Sequence, residues 1–259
     1  MMNRTASPKP EADSEERFAR KTPRTNTGKK SKRRGFTIAL IGPDGAGKTT
    51  LAEKLQRNLP FPIRYVYMGE SIESSNLALP TSRFIAYVKK KLGLYAVPEH
   101  VDPATLPEAP RRKGAWIRAP LRFANRSAEE WYRQYVTWSY TRKGDVVLFD
   151  RHFVFEYELG AESEDKGLWD RLHDWCIDRF FPRPDLTICL DAPAEVLFAR
   201  CHEYSVPYLA KRRESFLRQR NRVENFVTVD VTEPADIVER EAIREILSFA
   251  DKRWQHESS

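Results

Sequence analysis

Lys48 and Thr49 close the run Gly42-Pro-Asp44-Gly45-Ala46-Gly47-Lys48-Thr49, which has the spacing G-x-x-x-x-G-K-[ST] and is followed by Thr50. Those residue types at that spacing suit one task, the cradling of a polyphosphate. The glycines let successive backbone amides turn toward a single anion, and a helix that starts at the lysine adds its partial positive charge. Lys48 would then reach the β- and γ-phosphates, and the Thr49 hydroxyl would be a ligand of Mg²⁺. A second group, Asp150-Arg151-His152, follows the apolar run Val146-Val-Leu-Phe149. A carboxylate at the tip of a buried strand suits an outer partner of that cation or a group that orients a hydroxyl. The adjacent arginine can fork onto a phosphate. His152 reads as a structural neighbour rather than a base. A triphosphate cradle, a cation and a second phosphate clamp are the parts of a phosphoryl transfer.

These side chains need elements to hold them. The apolar run 36–41 reads as a buried strand, and Leu51, Leu55 and Leu59 at i, i+4 and i+8 read as a helix over 48–59. Strand, glycine loop and helix in that order are the setting the loop requires. Further strands are expected at 63–68, 145–149, 185–190 and 226–229. Helical patterns separate or follow them at 122–142, 165–181, 194–201, 208–222 and 235–252. The alternation predicts an α/β chain of P-loop NTPase fold: a five-stranded parallel sheet with helices on both faces and an insertion after the second strand. Ligands of such sheets collect at the carboxyl ends of the strands. Gly42, Asp150, Asp191 and Asp230 all fall at or just after such ends.

Composition bounds the rest. At 259 residues the chain has room for one decorated α/β domain. Residues 1–35 hold eleven of the 44 Lys and Arg and four of the 37 Asp and Glu, leaving 33 of each sign in residues 36–259. The net +7 therefore belongs to the N-terminal segment, and the rest is neutral. That argues against a nucleic-acid partner for the domain, which has no excess positive charge for a phosphate backbone. Residues 1–35 are polar and charged, and are expected to form a disordered basic arm preceding a kinase domain at 36–259. The arm's partner stays open between solvent alone and a weak contact with a membrane surface or another protein. Residues 70–120 break the strand–helix rhythm with the basic amphipathic segment Arg83–Leu92 and, after it, a loop with Pro98, Pro103, Pro107 and Pro110. They read as an insertion or a region bounding the substrate. No apolar stretch approaches the ~18 residues of a membrane span, and no signal segment opens the chain. Three scattered cysteines, Cys176, Cys189 and Cys201, make neither a zinc cage nor a disulfide framework. The expected setting is cytoplasmic.

The glycine loop with its Asp44, the segment Phe123-Ala-Asn-Arg126, the Asp150-Arg151-His152 triplet and the run from Pro184 through Asp191 and Glu195 to Arg200 together resemble the thymidylate kinase family of P-loop kinases. The resemblance covers most of residues 36–235, with the elements in matching order. It implies ATP and Mg²⁺ as cofactors, with Gly42, Gly45, Ala46, Gly47, Lys48, Thr49 and Thr50 around the ATP phosphates. Asp44 would bind a sugar hydroxyl of the substrate, Asp150 and Thr49 would lie by the metal, and Arg151 would clamp the acceptor phosphate. Arg126, with Arg122 and Phe123 beside it, would face the acceptor's base. Arg200 would open the lid, the segment 201–213. Lys211, Arg212 and Arg213 there could cover the transferring phosphate, with Arg212 toward ATP. Kinases of this family are commonly dimers, although no self-complementary surface is legible in the sequence.

The chain also departs from the family. An Arg-Glu-Pro-Gly-Gly run usually follows the second strand, and here the residues are Tyr67-Met68-Gly69-Glu70-Ser71. Arg126 stands 24 residues before Asp150, about one helical turn further than the family pattern. The acceptor, a small-molecule nucleotide such as dTMP or a relative of it, is therefore not fixed by the motifs. A nucleoside or sugar kinase is a variant of the same chemistry, in which Glu70 could act as the general base that a neutral hydroxyl requires. A different class also stays open: a nucleotide-responsive regulatory module that docks on a membrane or partner.

Overall fold

In a computed structural model, the structure describes residues 33–68, 115–155, 167–202 and 204–256. By contacts the chain divides into Met1–Lys30 and Ser31–Ser259, and every described residue lies in the second unit. The expected arm up to residue 32, the segment 83–92, Glu70 and most of the expected insertion lie outside the described residues.

Five strands make one parallel sheet: β1 (Thr37–Ile41), β2 (Ile63–Tyr67), β3 (Val146–Asp150), β4 (Leu186–Asp191) and β5 (Phe226–Asp230). Their order is β2-β3-β1-β4-β5, so the chain steps out to one edge, returns beside β1, then crosses to the other side. β1 is thus central, with Leu40 opposite Asp150 of β3 and Ile41 opposite Cys189 of β4. Strands covered on both faces read as unbroken apolar runs, and all five residues of β3 are buried.

Alternate residues of the strands feed two cores. Phe36, Ile38, Leu40, Leu148, Ile188 and Leu190 face one way. They pack on Leu51 and Leu55 of α1 (Lys48–Asn58) and on Val238, Ala242, Ile246 and Ala250 of α6 (Ala235–His256). Ala39, Ile41, Val147 and Phe149 face the other way, onto Phe153, Phe155, Ile177 and Phe181. That side carries α2 (Ala115–Arg142) and α3 (Leu168–Phe180). Two further helices, α4 (Ala194–Cys201) and α5 (Val206–Arg218), lie between β4 and β5 in the chain. Period-2 strands and four-residue helical spacing are thereby both satisfied by one sheet with two covered faces.

The sheet and its helices agree with expectation, and the differences are at element ends. Helix α2 begins at Ala115, not 122, and carries Pro120 in its second turn, where the ring leaves the carbonyl one turn back without its helical donor. The segment expected as one helix over 208–222 starts at Val206, with Ser205 before it and a proline in its first turn. It then tightens into a 3₁₀ turn over Gln219–Arg222. Asp145 precedes β3 instead of opening it and accepts from the Arg64 guanidinium at 2.9 Å. Asp150 and Asp191 are the last residues of their strands.

At the amino ends of the strands, Phe36 packs edge-on against Phe61, Phe249 and Trp254. The Trp254 indole donates to the Arg34 carbonyl at 3.1 Å. The last helix is thereby tied to the entry of β1, at the end of the sheet opposite the glycine loop.

Candidate active site

The loop between β1 and α1 sits in the middle of the carboxyl edge. Gly42 and Gly45 have φ of 143° and 83°, a region that side-chain-bearing residues avoid. A Cβ at Gly42 would lie 2.5 Å from the Leu190 carbonyl oxygen, and one at Gly45 2.8 Å from that of Leu197. The glycines therefore let the loop seat against β4 and α4. Gly47 caps α1 with no side-chain bond, and no acidic residue occupies the first turn. The opening amides of α1 are left for an anion.

Lys48 is buried, and its ammonium donates to the carbonyls of Gly42 and Pro43, both at 2.9 Å. Asp44 lies 3.9 Å from that ammonium. The same carboxylate accepts from the Arg151 guanidinium at 2.9 Å. Burial alone would raise the pKa of Asp44, but the charges of Lys48, Arg151 and Arg212 and the Arg151 hydrogen bond more than offset it. The carboxyl is held below its usual range and is ionised at neutral pH. Arg151 follows β3 with φ of 63°, a left-handed conformation that turns its side chain back over the loop.

Asp150, 3% exposed, accepts two hydroxyl bonds on one oxygen, Oδ2. Thr49 donates at 3.1 Å and Tyr65, from β2, at 2.9 Å. Burial, then the charge of and the hydrogen bond to Asp150, push the Tyr65 phenol well above its ordinary pKa, so it stays a donor. Among the described residues no group of three or more His, Cys, Asp and Glu could cage a metal unaided. The donor set suits Mg²⁺ all the same, since that ion is bound through one or two protein oxygens plus substrate phosphates. Thr49 would supply the direct oxygen, with Asp150 behind it.

His152 is wholly buried against Phe149, Phe155 and Phe181, and neither ring nitrogen has a hydrogen-bond partner among the described residues. Burial lowers its pKa to about 3. It is a neutral ring in an apolar box.

Of the other residues singled out in sequence, Arg212 is near enough for its charge to act on Asp44, and the rest stand apart from this group. Arg200, in the last turn of α4, donates to the Val231 carbonyl at 2.7 Å, beyond β5. Arg212 stacks over Phe216, and Arg213 forks onto Asp191 at 2.6 and 2.8 Å. Arg122 is exposed. Phe123 packs on Trp169 and His173 of α3. Arg126 lies 3.6 Å from Glu130, and Glu130 meets His173 Nε2 at 2.8 Å, both residues buried. The structure therefore brings together Asp44, Lys48, Thr49, Asp150 and Arg151. Phe123 and Arg126 belong to a second group on α2 and α3.

Sequence reading missed Tyr65, the Glu130–His173 pair and the Arg213–Asp191 fork. The i, i+4 spacing of Arg126 and Glu130 was visible as a helix pair. That Glu130 is buried against another helix was not.

No protein-family model matches the chain. It is 28% identical to a probable thymidylate kinase of Saccharolobus solfataricus over 221 residues, covering 80% of this chain and 94% of the relative. With a probable thymidylate kinase of Methanosphaera stadtmanae it shares 25% identity, across 82% of this chain and 97% of the relative. The solved thymidylate kinase of Candida albicans superposes with a TM-score of 0.56 at 20% identity, covering 85% of this chain and 94% of that one. These likenesses run nearly end to end in the relatives, on the same five-stranded parallel sheet, and they support a divergent relative of the thymidylate kinases.

Proposed function

We propose that this protein is a nucleotide kinase that moves the γ-phosphoryl group of ATP onto thymidylate, with Mg²⁺, in the cytoplasm. The observation that carries the reading is the Asp44–Arg151 contact, which links the triphosphate loop to the residue after β3. A loop that only bound nucleotide would have no use for a guanidinium placed beside it by another strand. The names of the relatives, thymidylate kinases along almost their full lengths, support the same acceptor.

In this reading the loop amides and Lys48 hold the transferring end of ATP, and Arg151 draws the acceptor phosphate toward it. Bound Mg²⁺ would neutralise charge on the phosphate oxygens, held through Thr49 with Asp150 behind it. Phosphoryl transfer asks for positioning and electrostatics more than for covalent chemistry. A monophosphate acceptor is already anionic and needs no base. The regulatory-module alternative has no comparable support, since the relatives are named as enzymes.

The test is consumption of ATP by the full chain with Mg²⁺ against dTMP, the other monophosphates, free nucleosides and sugar phosphates. Lys48→Ala serves as blank, and its turnover is expected to fall by at least about 10²-fold. Turnover with dTMP that the blank lacks supports the reading. Tight ATP binding with no acceptor-dependent turnover overturns it.

A further inference from the structure

Tyr65 was not among the residues that the loop or the triplet singled out, yet its hydroxyl meets the carboxylate that orients Thr49. The register explains how. Tyr65 stands opposite Leu148, and Tyr67 opposite Asp150. Asp150 therefore lies two residues further along the sheet, about 6.6 Å toward the carboxyl edge. A serine or threonine at 65 would fall short of it. A tyrosine leaning along its strand reaches it, at 2.9 Å.

The consequence follows from what each group can donate. A carboxylate is only an acceptor, so both the phenol and the Thr49 hydroxyl point their protons at Asp150 Oδ2. Thr49 has a single proton. Once it is spent on Asp150, the oxygen's lone pairs face away from Asp150, as a cation ligand requires. The phenol is a second donor to the same oxygen of this buried carboxylate. β2, β3 and α1 are thus joined through one oxygen atom.

We propose that Tyr65 is a positioning residue for the cation: its phenol, bonded to Asp150 Oδ2, locks that carboxylate onto Thr49 and so presets the Thr49 oxygen for Mg²⁺. This rests on the reading of Thr49 as the metal ligand but not on the identity of the acceptor. Groups behind a metal ligand typically change metal affinity by about 10–100-fold when removed.

The experiment measures affinity for a fluorescent ATP analogue, in EDTA and in Mg²⁺, without acceptor. It uses the full chain as wild type, Tyr65→Phe, Thr49→Val and the double variant. Wild type is expected to bind more tightly with Mg²⁺. Tyr65→Phe should match it in EDTA and lose about ten-fold of the Mg²⁺ enhancement, with the thermal midpoint near that of the parent. In the Thr49→Val background, Tyr65→Phe should cause no further loss. Equal losses with and without Mg²⁺ would assign the phenol to packing and overturn the proposal. So would an undiminished effect in the Thr49→Val background, or wild-type binding that ignores Mg²⁺. Since no acceptor is present, failure of dTMP turnover leaves this measurement readable, and the reverse holds too.

Discussion

Arg151 shows the conflict between local conformation and chemistry at a single residue. A non-glycine residue in the left-handed region costs of the order of 1–2 kcal/mol, and Arg151 stands there at φ 63°. Glycine would sit more comfortably but would lack the guanidinium proposed to clamp the acceptor phosphate. Arg151→Gly is expected to unfold within about 1 kcal/mol of the parent, because relief of strain offsets the lost ion pair to Asp44. Denaturant titration checks this. Its turnover with a monophosphate acceptor should fall by at least about 10²-fold, and a fall of less than ten-fold would remove Arg151 from the clamp. Gly45 is constrained in the opposite sense. Gly45→Ala drives a Cβ into the Leu197 carbonyl, so the loop must leave its seat, and ATP affinity should drop by more than about ten-fold, measurable by calorimetry.

Between elements, the contact of α2 with α3 is unusually polar at its centre. Glu130 and His173 are both buried, and each is the other's partner at 2.8 Å. Replacing Glu130 by Ala leaves a buried imidazole short of a partner, which should lower stability by about 1–3 kcal/mol. Glu130→Gln keeps an acceptor and should cost less. Since Phe123, proposed to face the acceptor's base, rests edge-on against His173, the Ala variant should also raise the acceptor's KM more than that for ATP. Equal changes in both constants would detach this pair from the acceptor side. Sequence predicted a helix over 122–142, but not which of its polar residues are interior, because burial is decided by the helix it meets.

For the molecule as a whole, His152 ties stability to pH. Its folded pKa of about 3 lies below the ordinary histidine value of 6.5. Between those values the unfolded chain takes up a proton that the folded chain refuses, so folding weakens as the pH falls through that window. The slope is about 1.4 kcal/mol per pH unit, roughly 3 kcal/mol by pH 4.5. Asp44 acts in the same direction only at lower pH, because a depressed carboxyl loses its contribution as pH falls below the usual carboxylate range. His152→Phe should therefore flatten the stability profile between pH 6.5 and 4.5 in chemical unfolding at several pH values. A profile identical to the parent's would show that the ring is not held neutral. At the far end of the sheet, Phe36 is fully buried among three aromatic rings. Phe36→Ala should cost about 3–5 kcal/mol without touching nucleotide affinity in the folded fraction.

The sequence alone determined the five strands, their parallel packing between two helical layers, and the loop, lysine, threonine, aspartate and arginine at the strand ends. Those features are local or periodic: glycine spacing, period-2 apolar runs and four-residue helical repeats are written in adjacent residues. Tertiary structure decided which distant groups meet. Tyr65 is 85 residues from the carboxylate it holds, and Asp44 is 107 from Arg151. Asp191 takes up Arg213, a residue that could equally have faced the phosphates. No periodicity encodes such contacts, because they depend on strand order and register. Both emerge only when the central strand is placed between β3 and β4.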